Sequence, residues 1–285
     1  MTARLAATFV LAAAATLSAG SQQASFATRI EAVRVDVLVT DQGQPVRGLT
    51  RSDFEVIDNG VPQQVDLVSF EQIPLNAILA FDMSDSVAGD RLDRLQAAGR
   101  AVLSALKTPD QAALVTFSHA VVLGAPLARD LGPVRAAVDR AEGSGNTALV
   151  DGTYAAMMLG ESDVGRPLLI IFSDGVDTAS WLSADAVLDI AKRSDVVAYA
   201  VAVRSAEKPD FLRDLTALTG GRLFEVEKAT NLSTIFLTML EEFRQRYLVS
   251  YTPRGVTKDG WHRLEVCVKH RGAIAKALPG YLAGP

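Results

Sequence analysis

Asn76-Ala77-Ile78-Leu79-Ala80-Phe81 reads as a continuous apolar run, and it ends in Asp82-Met83-Ser84-Asp85-Ser86. A run without alternation is the mark of a strand covered on both faces, as in a parallel sheet. The same signature returns at Ala112 to Phe117, Leu168 to Phe172 and Val196 to Val203, with shorter strands at Val121 to Leu123 and Arg222 to Glu225. Between them the spacing turns helical: Arg91 to Leu106, Val134 to Ala141, Leu149 to Leu159, Ala184 to Arg193, Phe211 to Leu218 and Leu232 to Phe243. Strands alternating with helices over residues 74–245 predict an α/β fold, a doubly wound and mostly parallel sheet. A closed barrel would need eight comparable units and more residues.

Outside that stretch the rhythm is two. Val33, Val35, Val37 and Val39 alternate with Arg34, Asp36 and Leu38, as in a half-buried strand. After the turn Asp41 to Pro45 come Phe54 to Ile57, the turn Asp58-Asn59-Gly60, and Val65 to Val68; Asn-Gly between short strands signals a hairpin. Past Arg246 the chain returns to alternation at Tyr247 to Tyr251 and Arg263 to Val268. Each flank is too short to be stable alone. The simplest arrangement pairs the N- and C-terminal β segments, residues 28–73 and 246–285, into one small β-sandwich with the α/β domain inserted between them.

The chain has 285 residues, 28 Lys and Arg against 33 Asp and Glu, a net charge of -5, and 49% hydrophobic residues. An acidic balance argues against general nucleic-acid binding, which needs a clustered basic surface. One Cys excludes a disulfide framework and a multi-Cys zinc site, and three scattered His make a His-rich centre unexpected. Residues 1–27 read as a signal peptide: Arg4 supplies the positive start, Leu5 to Ala19 is apolar but short for a membrane span, and small residues at Ser18-Ala19-Gly20 and Ser25-Phe26-Ala27 offer cleavage sites. No Cys near that run would carry a lipid, and no later segment is a transmembrane candidate. The expectation is an exported protein, periplasmic or secreted, with Cys267 a buried thiol or, as the lesser alternative, an intermolecular bridge.

Asp82-x-Ser84-x-Ser86 sets a carboxylate and two hydroxyls at alternating positions just past a buried strand, the edge where ligands bind in open α/β sheets. Such short oxygen donors suit a hard divalent cation. One loop cannot complete a shell, but two more follow in order: Gly145-Asn146-Thr147 before a helix, and Ser173-Asp174-Gly175 after another buried strand. With these three loops the stretch from Leu75 to Phe243 resembles a von Willebrand factor type A domain with a metal-ion-dependent adhesion site (MIDAS). The resemblance implies hydroxyl ligands Ser84, Ser86 and Thr147, with Asp82 and Asp174 acting largely through water. It implies Mg²⁺, with Mn²⁺ as the alternative and Ca²⁺ less favoured, and a protein partner that offers an Asp or Glu side chain to the metal. The flanks, with Gly48 to Val56, Asp58-Asn59-Gly60, Tyr247 to Tyr251 and Gly280-Tyr281, resemble exported proteins of acidobacterial type that embed such a domain between β segments.

Plainer roles compete for several residues. Asp82 and the serines are common helix caps, and Asp151 suits the start of a helix. Asp85 and Asp177 read as solvated loop residues, Asp177 near enough to stand behind the ligands. His119, His262 and His270 read as surface or satisfied core residues, Trp181 as ordinary packing or a partner contact, and Lys269-His270-Arg271 as a solvated hairpin end. The expected function is a non-enzymatic, metal-dependent adhesion or assembly module. The alternatives are an envelope component whose metal only stabilises the fold, and a metal-dependent hydrolase. Against the last, a D-x-D phosphotransferase loop would need an acid where Ser84 stands, and no G-x-S-x-G elbow occurs at a strand-to-helix turn.

Overall fold

A computed structural model describes residues 32–70, 73–160, 165–205 and 207–284; the leader read over residues 1–27 lies outside the described residues. The described residues begin with β1 (Val33–Asp41), β2 (Gln44–Pro45), β3 (Phe54–Asp58), β4 (Val61–Gln63) and β5 (Val65–Ser69). It continues through β6 (Leu75–Asp82), α1 (Asp90–Ala105), β7 (Gln111–Phe117), β8 (Val121–Ala128), α2 (Gly132–Asp139), α3 (Leu149–Gly160) and β9 (Arg166–Ser173). Then come α4 (Ala184–Ala191), β10 (Val197–Val203), α5 (Asp210–Leu218), β11 (Arg222–Val226) and α6 (Leu232–Arg244). Four strands close the chain: β12 (Tyr247–Tyr251), β13 (Gly260–Val268), β14 (Ala273–Lys276) and β15 (Gly280–Ala283).

The central sheet has the order β11-β10-β9-β6-β7-β8, parallel except where β8 runs against β7. Every residue of β6, β9 and β10 is buried, as unbroken apolar runs require. Leu79 and Phe81 of β6 join a core layer with α1, α2 and α6; Ile78 and Ala80 join the opposite layer with α3, α4 and α5. The chain leaves β6 to one side for β7 and later fills the other side with β9, so the topological switch lies between β6 and β9.

The flanking segments form a β-sandwich. One sheet runs β14-β1-β12-β5 with β2 beside β1, the other β15-β13-β3-β4, and every pairing is antiparallel. Val35, Val37, Val39, Phe54, Val56, Tyr247 and Val249 fill the space between. In each sheet N- and C-terminal strands lie side by side, so neither flank completes a sheet alone.

Four details differ from the sequence reading. The Asn59-Gly60 turn joins β3 to β4 rather than to Val65–Val68; β5 crosses to pair with β12, where Val65 fills the core from the opposite wall. Strand β1 is not half-buried: Asp36 and Leu38 are each only 8% exposed, because the outer face of β1 lies against the α/β unit. Cys267 is exposed, not a buried thiol, since the alternation of β13 turns His262 and Leu264 inward and Arg263, Glu265 and Cys267 outward. Strands β14 and β15, short and weakly patterned, were not anticipated.

Buried charge joins the sandwich to the α/β unit. Asp36 pairs with Arg166 at the start of β9, and Arg166 stacks on the Phe243 ring, 4.7 Å from its centroid. Arg246, fully buried between α6 and β12, donates to the Tyr199 hydroxyl (2.9 Å), the Gly220 carbonyl (2.7 Å) and the Asp36 carbonyl (3.3 Å). Inside the sandwich Asp58 accepts from the Tyr251 and Tyr281 hydroxyls (2.9 and 3.0 Å) and lies 2.8 Å from His262 Nδ1. His262 is thus a satisfied core residue. Burial, with Asp58 close by, pushes both phenols above their ordinary range.

Asp58→Ala strands two tyrosine hydroxyls and a histidine in the core at once, and is expected to cost about 3 kcal/mol in chemical denaturation. A loss near zero would mean that the cluster adds nothing to stability.

Candidate metal-binding site

Level strands set the site. β6 and β9 pair in parallel from Leu75↔Arg166 to Phe81↔Phe172, so Asp82 and the Ser173-Asp174 step leave the sheet at the same height. Asp82 is fully buried and Ser84 is 3% exposed. One Asp82 oxygen accepts the Ser84 amide (2.9 Å), the other the Ser173 hydroxyl (2.7 Å). Burial raises the Asp82 carboxyl above its usual range, and the charge of Asp174 adds to the push. Hydrogen bonds from Ser84 and Ser173 pull the other way. The Ser84 and Ser86 hydroxyls lie 3.0 Å apart, Ser84 buried and Ser86 exposed.

The second loop is laced to the first. The Asp85 amide donates to the Gly145 carbonyl (3.0 Å), the Gly145 amide to the Asp85 carboxylate (2.8 Å), and the Ser144 amide to the Met83 carbonyl (2.7 Å). Gly145 has φ +83°, and a Cβ there would sit 2.8 Å from His119 Nδ1, so a side chain would be both strained and crowded. Thr147 follows, 6% exposed.

The third loop is tied to the second. The Thr147 amide donates to the Thr178 hydroxyl (3.0 Å), and the Thr178 and Ala179 amides return to the Thr147 carbonyl (2.9 and 3.0 Å). Gly175 has φ +85°, and a Cβ would meet Pro209 at 2.6 Å. Asp174, partly buried, accepts the Val176 amide (3.2 Å). The structure therefore gathers the loops of Asp82, Ser84, Ser86, Thr147 and Asp174 at one edge of the sheet.

The plainer residues are structural braces. Asp85 and Asp177, read as solvated, hold backbone: Asp85 the Gly145 amide, Asp177 the Val150 amide (3.2 Å) and the Ser180 hydroxyl (2.6 Å). Asp151 does more than suit a helix start, since its two oxygens accept the Trp181 and Leu182 amides, each at 2.9 Å. Trp181 is not packed: it is 96% exposed, on a loop whose backbone is clamped beneath it. Ser173, which the sequence reading did not place in the site, is fully buried against Asp82; its position one residue before Asp174 on a buried strand was the available signal.

The donor set fits a divalent cation. Among the described residues, no ion pair involves Asp82 or Asp174. A desolvated carboxylate that senses a second one, with no cationic side chain as ion-pair partner, is an arrangement whose charge a bound cation would offset. Among the described residues no cluster of three or more His, Cys, Asp or Glu is arranged to hold a metal, so any shell here draws on hydroxyls.

Asp151→Ala frees both amides beneath Trp181. Hydrogen exchange at Trp181 and Leu182 is expected to speed up at least about tenfold, with the β6 and β9 amides unchanged. Unchanged exchange at the two loop amides would show that Asp151 is not the clamp.

Residues 76–238 match the family described as von Willebrand factor type A domain. Among solved structures, the chain is similar to proximal thread matrix protein 1 from the mussel byssus, in a structure with a zinc-occupied MIDAS motif: 16% identity, TM-score 0.54, covering 65% of this chain and 49% of that one. It is also similar to a variant of the PilB minor pilin from Streptococcus sanguinis, at 13% identity and TM-score 0.50, covering 61% of this chain and 62% of that one. A third, the BatB protein of Bacteroides thetaiotaomicron, has 13% identity and TM-score 0.49, covering 59% of this chain and 98% of that one. The chain thus spans about half the length of the mussel chain. No curated protein matches. At such identities the likenesses to the mussel protein and the pilin speak for the fold alone; the family match, which spans more than half of the chain, places it in the von Willebrand factor type A domain family.

Proposed function

We propose that the chain is an exported, non-enzymatic binding module that holds a divalent cation at the loop edge of its sheet and uses it to bridge to an acidic side chain of a partner protein. Ser84, Ser86 and Thr147 supply hydroxyl oxygens, and Asp82 and Asp174 supply charge, largely through water. The carrying observation is the buried Asp82 beside Asp174, with no ion-pair partner among the described residues and with hydroxyls on each side. A shell with few direct carboxylates leaves the ion electrophilic enough to accept one more carboxylate from outside. Mg²⁺ is the favoured ion, Mn²⁺ the alternative. The mussel protein's MIDAS holds zinc, so Zn²⁺ belongs in the same titration.

Two observations favour binding over catalysis or mere stabilisation. Asp82 is inaccessible, and the position two residues on is Ser84 rather than a second acid. Trp181 stands in solvent on a clamped loop joined through Thr178 to Thr147, which suits an aromatic anchor at the rim of a protein interface. Export rests on residues 1–27, and no described helix is long and apolar enough to cross a membrane.

Calorimetric titration of Mg²⁺, Mn²⁺ and Zn²⁺ into EDTA-stripped protein tests the site. The wild type is expected to saturate, Asp82→Ala to lose binding, and the exposed Ser86→Ala, which leaves the core intact, to weaken it about tenfold, or 1.4 kcal/mol. Binding unchanged in both variants would remove the metal from these loops. The intact mass of the protein recovered from outside the cytoplasm should match cleavage near Ala19 or Ala27; an uncleaved chain retained in the cytoplasm would refute export.

A further inference from the structure

We propose that the cleft where the sandwich meets the foot of the six-stranded sheet binds a small organic anion, with a carboxylate or phosphate head and an apolar body. The cleft encloses about 320 Å³, at the lower end of the range for small-molecule sites. Arg47, Lys107, Arg166 and Arg244 line it, with Glu241 the one acidic side chain among its lining residues. Such a concentration of cations stands out on a chain whose net charge is -5.

The cations fall into two kinds. Arg166 and Arg244 are mostly buried and each uses Nη2 on a protein acid: Arg166 on Asp36, Arg244 on Asp110 at 2.6 Å. Each leaves its Nε–H buried with no hydrogen-bond partner. Of the three buried side-chain polar atoms without a partner among the described residues, these are two. Native structures rarely leave such donors unmet, so these two guanidinium groups bring to the cleft wall positive charge that the protein's own acceptors do not fully engage. Arg47 and Lys107 are exposed, and among the described residues neither forms an ion pair.

Besides Glu241 and Gln245, the rest of the lining is apolar. Phe70, Ile73 and Leu75 give the cleft a hydrophobic wall. An inorganic ion would leave that wall unused, whereas an anion with a ring or short hydrocarbon body covers it and gains by burial. The head meets Arg47 and Lys107, where the planar guanidinium of Arg47 and the ammonium charge of Lys107 suit carboxylate and phosphate alike.

This site is separate from the metal loops. Leu75 and Arg166 open β6 and β9, whereas Asp82 and Ser173 close them, a strand length of roughly 23 Å away. The inference therefore stands without the metal reading, and its test is run in EDTA.

The probes are benzoate and phenyl phosphate, with acetate and inorganic phosphate as head groups alone, titrated calorimetrically into the full chain. At least one ring-bearing probe is expected to saturate at millimolar concentration, about tenfold tighter than its bare head group, and to weaken as salt is raised. Arg47→Gln with Lys107→Gln changes two exposed side chains; its thermal unfolding without ligand should match the wild type, and its affinity should fall about tenfold or more. Saturation by benzoate alone assigns a carboxylate head, and by phenyl phosphate alone a phosphate head. No saturation by either, a bare head group binding as tightly, or an affinity unchanged in the double variant would each overturn the proposal.

Discussion

The level, in-register parallel pairing of β6 with β9 is the constraint on which the rest depends. It runs from Leu75↔Arg166 to Phe81↔Phe172 and sends two carboxylate-bearing loops out of the sheet at one height. Parallel strands cannot be joined by a tight turn, so each return needs a crossover, and the crossovers deposit helices on both faces. Burial on both faces then demands strands without polar alternation. The first polar side chain at the end of β6 is Asp82, still inside the protein, and its desolvation gives the loop edge its electrostatic character.

A second constraint sits at the other end of the same strands. Arg166 opens β9 and sets a guanidinium in the interior, where Asp36 from the sandwich balances its charge. Arg246, where the chain leaves α6 for β12, is held by Tyr199, Gly220 and the Asp36 carbonyl. A buried pair of this kind is weak evidence for net stability but costly to break from one side. The sandwich is therefore held against the sheet by directional contacts as well as apolar ones, and the cleft beside them inherits charge that the seam does not use.

How much of this was legible in the sequence depends on how local the cause was. The apolar runs of β6, β9 and β10 could be read directly, because burial on both faces writes itself into consecutive residues. The doubly wound sheet followed from their alternation with helices, and the sandwich from the two alternating flanks. What escaped was set by neighbours distant in sequence. Asp36 looked like the polar side of a half-buried strand until Arg166 and Arg246 covered it. Val65–Val68 looked like the return arm of the Asn59-Gly60 hairpin, but the pairing edge that takes it belongs to β12. Ser173 could be placed beside Asp174 at a strand end, but its bond to Asp82 could not be read, because that partner lies ninety-one positions away.

Trp181 shows the division most plainly. An aromatic residue in a loop carries a prior for packing, and nothing adjacent to it says otherwise. Its exposure is decided by Asp151, thirty positions earlier, whose carboxylate takes the Trp181 and Leu182 amides and fixes the loop with the indole outward. By itself, then, the sequence determined the fold class, the sandwich flanks and the residue types at the three loops, because periodicity and short motifs are local. Only the tertiary structure decided that those loops are laced into one rim, that Asp82 is buried beside Asp174 with no ion-pair partner among the described residues, and that four cationic side chains line the cleft at the opposite pole. Those outcomes depend on which backbone donors and charges meet across the sheet, and pairing across a fold is a property of its geometry.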